Sequence, residues 1–197
     1  MPPFFIGETP RPIILLDSAS IERSYLRDAW ESIALRPDEA AVLEALRLVE
    51  PRAERLAFVG DTSHKSQGIL VKLEDSLEPL PVGTLGGGFW QLLVLALHLV
   101  RAKGGTFLVD EIDTGLHYSI LTPMWRLLVH TAARMECQVF ATTHSLDCVK
   151  ALARLFETDR ALAEQVSVHR LQKNVSKTMR YAAEEVHLAA REQIEVR

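Results

Sequence analysis

Thr106-Phe107-Leu108-Val109-Asp110-Glu111 is the stretch whose reading decides the fold class. Four non-ionisable residues, three of them strongly apolar, run straight into two adjacent carboxylates. A buried strand ending this way delivers both acids to the carboxyl edge of a sheet, where open α/β folds bind their ligands. Side chains on a strand point alternately to opposite faces, so the two acids are expected to do different jobs. One would hold a metal-bound phosphate and the other would prepare a water. The competing reading is a plain strand end followed by a solvated turn, and the flanking sequence decides between them.

Upstream, Thr84-Leu85-Gly86-Gly87-Gly88 is followed at once by the apolar run from Phe89 to Val100. Three glycines let a ligand approach the backbone closely, and the run behind them reads as a buried helix. The start of a helix presents free N–H groups and a partial positive charge, which suits a phosphate. A bare triple glycine is also compatible with a flexible turn. Downstream, Cys137-Gln-Val-Phe-Ala-Thr142-Thr143-His144-Ser145 reads as a second apolar strand ending in polar residues and a histidine. A histidine at a strand end is usually structural. If the two strands are parallel neighbours, His144 reaches the same sheet edge as Asp110 and Glu111.

This order, a glycine signature, an apolar strand with Asp-Glu, then a strand with Thr-Thr-His-Ser, resembles the nucleotide-binding heads of ABC-type ATPases. The resemblance is to the branch with the OLD-family, RecF-like and SMC-like ATPases, and to the carboxyl-terminal half of a bacterial AAA-type ATP-binding protein. The spacings agree: Gly88 to Asp110 is 22 positions and Glu111 to His144 is 33. The resemblance covers about residues 80–150 and extends plausibly over the rest. It implies an α/β fold of the P-loop NTPase-like (ABC-ATPase head) kind: a mainly parallel sheet flanked by helices, with a small antiparallel strand pair. It also implies ATP and Mg²⁺ as ligands. Asp110 resembles the Walker B aspartate that holds Mg²⁺, Glu111 the catalytic glutamate acting on the attacking water, and His144 the switch histidine that senses the γ-phosphate. Gly86, Gly87 and Gly88 resemble the signature loop, which contacts nucleotide held by the opposite subunit. Thr114-Gly115-Leu116-His117 occupies the place of the D-loop, which crosses the interface of a homodimer, and Asp113, Gly115 and His117 are expected among the nucleotide contacts. Leu85 stands where the signature serine is usual, and His117 where many such ATPases carry aspartate. Both departures touch contacts across the dimer more than the metal and water chemistry.

Phosphoryl transfer also needs a cradle of backbone N–H groups and a lysine, supplied in P-loop enzymes by GxxxxGK[S/T]. No such motif occurs in the 197 residues. Val59-Gly60-Asp-Thr-Ser-His64-Lys65-Ser66 is a decoy, because Val59 and His64 stand where glycines would have to be. It is expected to be a surface loop. The family carries its P-loop at the amino end of the domain, so the sequence reads as part of a longer protein or as a truncated relative. A hydrolysing head would drive opening and closing of a dimer. The alternative function is a non-hydrolysing relative that serves as an interaction or regulatory module. DNA or an effector protein could be a further partner, though the sequence does not advertise one. An OLD-type nuclease would need a further acidic domain, for which nothing after His144 is long enough.

Composition agrees with one α/β domain over residues 1–197, with the signature at 84–88, Walker B at 106–111 and the switch-histidine strand at 137–145. Hydrophobic residues make up 48%, enough for one sizeable core. A net charge of −4 gives no generic nucleic-acid footprint. Cys137 and Cys148 lack metal-ligand spacing and are expected to be reduced, buried thiols in a cytoplasmic protein. Phe4-Phe5-Ile6 is too short for the apolar core of a secretory signal, and the Phe89–Val100 run is too short to cross a bilayer.

Met1 to Pro12 reads as a proline-punctuated lead-in and Ile13 to Leu16 as a short strand. Ile21 to Ala34 has helical spacing, with Ser20 as N-cap and Tyr25, Ala29, Trp30 and Ile33 on one face. Pro37 opens a second helix to about Val49. Arg55–Val59 and Ile69–Leu73 read as an antiparallel pair. Helices are expected over Ser119–Met135, with Trp125, Leu127 and Leu128 inward, and over Leu146–Phe156. A hairpin is expected from Val166–Leu171 and Lys177–Tyr181, and a last helix over Ala183–Gln193. His169 and His187 read as surface residues.

Overall fold

In the computed structural model, β5 (Thr106–Val109) is the middle strand of a three-stranded parallel sheet, between β1 (Ile13–Leu16) and β6 (Gln138–Ala141). The register aligns Ile13 with Thr106 and Thr106 with Gln138, so Leu16, Val109 and Ala141 end the three strands together. The expected parallel pairing of the Asp-Glu strand with the histidine strand is therefore present. The structure describes residues 11–17, 23–60, 68–171, 178–182, 185, 186 and 188. Expectations for Phe4 to Ile6, the Ser20 cap, the loop at 61–67, His187 and most of the last helix lie outside them. At the start of β5, Gly105 sits so close to the Pro12 carbonyl that a Cβ there would collide with backbone. Glycine is required at this position to seat β5 against β1, and the Thr106 N–H then donates to the Pro12 carbonyl at 2.8 Å.

The core is organised around α3 (Gly87–Arg101), in which every residue from Leu92 to Val100 is buried. A helix apolar all round has no solvent face to offer and becomes a central element. Phe89, Leu92, Leu93 and Leu97 are fully buried, each contributing about 1.5–3 kcal/mol of transfer free energy. α3 packs against β1, α1 (Arg23–Ile33) and α2 (Glu39–Arg47). Its one buried polar side chain, His98, bonds through Nδ1 to the Val94 carbonyl at 2.8 Å and lies against the Tyr25 and Phe107 rings. Burial lowers the His98 pKa from its ordinary value. α1 buries Leu26 beside the expected Ala29, Trp30 and Ile33, whereas Tyr25 is only half-buried, with the Arg101 guanidinium 5.3 Å from its ring centre.

The expected antiparallel pair is β2 (Ala53–Val59) with β3 (Gly68–Leu73), extended by a short β4 (Leu80–Pro81) that the sequence reading did not include. α4 (Tyr118–Arg134) follows β5 and α5 (Leu146–Thr158) follows β6, and the two pack together. Trp125 and Leu128 are buried there as expected and Leu127 only partly; the Trp125 indole N–H donates to the Cys148 carbonyl at 3.1 Å. A short α6 (Arg160–Ala163) was not expected, while the hairpin is present as β7 (Val168–Arg170) and β8 (Met179–Tyr181). His169 is exposed and pairs with the Ser167 hydroxyl. Cys148 is buried as expected, but Cys137 is half-buried and lies just before β6. No helix among the described residues is long and apolar enough to cross a membrane.

The two faces of the parallel sheet differ. Leu16, Phe107 and Val109 turn inward and are buried. On the other face Ile13 is 71%, Leu15 61% and Phe140 54% exposed. Among the described residues, β6 has β5 as its one strand neighbour.

Candidate nucleotide site

The carboxyl edge of the parallel sheet is tied together by Thr142, the first residue after β6. Its hydroxyl donates to Asp110 Oδ1 at 2.5 Å and accepts from the Glu111 backbone N–H at 2.9 Å. Backbone bonds continue the ladder past the strand ends: Thr142 N–H to Val109, Ile112 N–H to Thr142 and Asp110 N–H to Leu16, each at 3.0 Å. The acids are thus fixed by the neighbouring strand rather than left on a loose turn.

Glu111 adopts φ = 50°, a left-handed conformation uncommon for residues other than glycine. Such a conformation costs about 1–3 kcal/mol and persists where surrounding bonds over-determine it. Here those bonds are the Thr142 contact, a bond from the Thr114 N–H to the Glu111 carbonyl at 2.9 Å, and one from the Thr114 hydroxyl to Glu111 Oε2 at 3.2 Å. The turn sends the chain from the strand into 111–117, where Glu111 Oε2 meets the Thr114 hydroxyl while Asp110 Oδ1 meets that of Thr142.

Thr143 makes a second cross-link, donating to Asp113 Oδ1 at 2.5 Å while accepting from the Ser145 N–H at 2.9 Å. Ser145 caps α5 by accepting from the Cys148 N–H at 3.2 Å. His144 therefore sits between two residues fixed to the site's framework, in the loop that leaves β6 at the same edge. The Cys148 thiol, behind this loop, is pushed up to about 12, first by burial and then by the Asp113 carboxylate. That shift disfavours the thiolate, the form a nucleophile needs.

The three glycines lie where α3 begins. Gly86 has φ = 86° and ψ = 171°, a conformation open to glycine, and it is the N-cap residue. Gly87 and Gly88 form the first turn, with open space around Gly87. A Cβ on Gly88 would lie 3.8 Å from the Gly115 carbonyl, so the glycine loop and the 113–117 segment are neighbours. Gly115 has φ = 76°. The Thr84 hydroxyl, the one near the usual signature serine, is engaged with the Pro81 carbonyl at 2.7 Å. His117 caps α4: its ring accepts from the Ser119 N–H and meets the Ser119 hydroxyl at 2.9 Å.

The structure thus brings Asp110, Glu111, Asp113 and the His144 loop to one edge, and sets Gly88 beside Gly115. Thr142 and Thr143 were not given roles from the sequence, and Thr114 was placed only in the D-loop segment. Their signal was present as the Thr-Thr pair at the end of an apolar strand, but which acids they meet depends on strand register. Among the described residues no three His, Cys, Asp or Glu side chains gather as a metal cage. One hard carboxylate beside a hydroxyl suits Mg²⁺, which keeps several waters and is commonly shared with substrate phosphates.

No curated protein matches the chain. Among solved structures, one from work on ATP-driven dimerization and DNA stimulated activation of SMC ATPases is similar over 87% of this chain and 99% of its own, with TM-score 0.55 and 15% identity. At that identity the likeness is one of fold. The SMC head domain from Thermotoga maritima is 18% identical with TM-score 0.40, over 71% of this chain and 46% of its own. An SMC head bound to the C-winged helix domain of ScpA is 18% identical with TM-score 0.47, over 74% and 42%. The chain spans less than half the length of these two. A family model described as "AAA domain, putative AbiEii toxin, Type IV TA system" matches residues 5–147. The chain belongs to this family of AAA domains, an ATPase-type nucleotide-binding class, and has the fold of an SMC-like ATPase head.

Proposed function

We propose that this chain supplies the metal-and-water half of an ATP-hydrolysing site. The observation that carries the reading is the Thr142 hydroxyl, which locks the Asp110 carboxylate and the Glu111 backbone to the strand that leads into His144. Asp110 would hold Mg²⁺, largely through water. Glu111, held in its left-handed turn, would take the proton of the attacking water, and His144 would meet the γ-phosphate. A bound Mg²⁺ would neutralise developing phosphate charge. Gly86, Gly87, Gly88, Asp113, Gly115 and His117 would face nucleotide held by a second subunit in a homodimer. The contact of Gly88 with Gly115 supports treating these loops as one surface. With Thr84 engaged and Leu85 beside it, that surface would rely on backbone N–H groups rather than a signature hydroxyl.

The triphosphate cradle would come from outside this sequence, on a strand, phosphate loop and helix. Two features support that. Parallel sheets are ordinarily covered on both faces, yet Ile13, Leu15 and Phe140 face solvent. Among the described residues no strand pairs with the outer side of β6, beside His144, and such a strand would pair there. Calorimetric titration of ATP–Mg²⁺ into residues 1–197 should accordingly show very weak binding and negligible turnover. Tight binding by this chain alone would refute the divided site and assign the cradle to a loop within it, such as 59–66.

A further inference from the structure

We propose that the cleft between α2 and α4 docks an acidic amphipathic helix from a partner polypeptide. The cleft has a volume of about 810 Å³, and none of its lining residues belongs to the candidate nucleotide site. Leu48, Pro123 and Leu127, all only partly buried, give it an apolar floor. Along its α4 wall, Arg126, His130 and Arg134 recur every fourth residue and are exposed. Residues four apart on a helix stack on one face, so the three form a ridge spanning about 12 Å along the axis.

The contacts these groups already make are slight. Arg126 reaches the Thr158 hydroxyl at 3.2 Å, and Arg134 lies 3.5 Å from Glu44 on the α2 wall, each partner being exposed. Exposed pairs of this kind contribute about 0–1 kcal/mol, so an incoming carboxylate competes with them readily. Pro123 has no N–H to offer the Ser119 carbonyl one turn earlier, which loosens the local helix ladder beside the floor.

The matching occupant is a helix with carboxylates every fourth residue and a row of leucine-like side chains beside them, laid with its apolar row on Leu48 and Leu127. Nucleic acid fits less well. A phosphodiester strand has no apolar row to lay on Leu48, Pro123 and Leu127 and would leave that floor uncovered.

Fluorescence anisotropy with residues 1–197 tests the proposal. The probe is a labelled, end-blocked helical peptide carrying three glutamates spaced four apart beside a leucine row. Its controls are the same peptide with lysine for glutamate, and a labelled duplex oligonucleotide. Saturable binding is expected for the acidic peptide alone, weakening as salt is raised. Arg126→Glu and His130→Glu should each weaken it about tenfold or more while circular dichroism stays unchanged. Absence of saturable binding, equal binding of the lysine peptide, or unchanged affinity in both variants would overturn the proposal. So would oligonucleotide binding that these substitutions abolish, which would assign the ridge to phosphate. Sedimentation showing self-association abolished by Arg126→Glu would assign the cleft to a second copy and overturn it equally.

Discussion

Thr142→Val separates the positioning of the two acids from the acids themselves. Valine keeps the shape of threonine but removes the hydroxyl that joins Asp110 to the Glu111 N–H. A hydrogen bond to a charged group contributes about 1.5–3 kcal/mol and a neutral one about 0.5–1.5 when water cannot replace it. Asp110 and Thr142 are exposed, so water recovers much of both, and the expected loss of stability is about 1 kcal/mol. For a domain of this size that corresponds to a fall of about 2–4 °C in Tm. The functional loss should be larger. Without the bridge the left-handed turn at Glu111 keeps only backbone ties to the β6 segment, such as Ile112 N–H to Thr142, and a misplacement of about 1 Å can cost about 10²-fold in rate. Thr142→Ser restores the hydroxyl and should recover most of the turnover. Scanning calorimetry gives the stability; phosphate release, in the assembly that carries the phosphate loop, gives the rate. Undiminished turnover in Thr142→Val would refute the positioning argument, and equal impairment of Thr142→Ser, which keeps the hydroxyl, would refute it as well.

Leu93→Ala, at a fully buried position of α3, should cost about 2–5 kcal/mol in denaturant unfolding, and a loss under 1 kcal/mol would deny α3 its central place. Because burial lowers the His98 pKa, the unfolded chain binds this proton more readily than the folded one. The His98 contribution is fully present above about pH 6.5, the ordinary value, and is lost as pH falls from there through the folded value. His98→Leu should flatten that acid limb of the stability profile; an identical slope in the variant would mean other groups produce it.

Much of the framework was legible because the patterns are local. The apolar Thr106–Val109 run before two acids, the Gln138–Ala141 run before Thr-Thr-His, and the unbroken Phe89–Val100 run each formed the element their periodicity indicates. Pro123 did not break α4, since only one N–H near the start of the helix is lost. What escaped the reading depends on register and neighbours. An apolar strand pattern says nothing about how many strands flank it, so the exposure of Phe140 could not be foreseen. The joint service of Thr142 to Asp110 and Glu111 follows from the alignment of Val109 with Ala141, which two separate segments do not encode. The left-handed Glu111 carries no compositional mark, because glutamate is an unusual residue for that conformation. The short β4 and α6 are too brief for periodicity to show.

The most direct test of the central claim is single-turnover ATP hydrolysis by the assembly that carries the phosphate loop, comparing Glu111→Gln with the unaltered chain. The substitution keeps the side-chain shape and removes the proton acceptor, whose contribution is about 10²–10⁴-fold. ATP should still bind while hydrolysis falls by that factor, whereas Asp110→Asn should weaken Mg²⁺-dependent binding as well. Unchanged hydrolysis in Glu111→Gln would contradict the account.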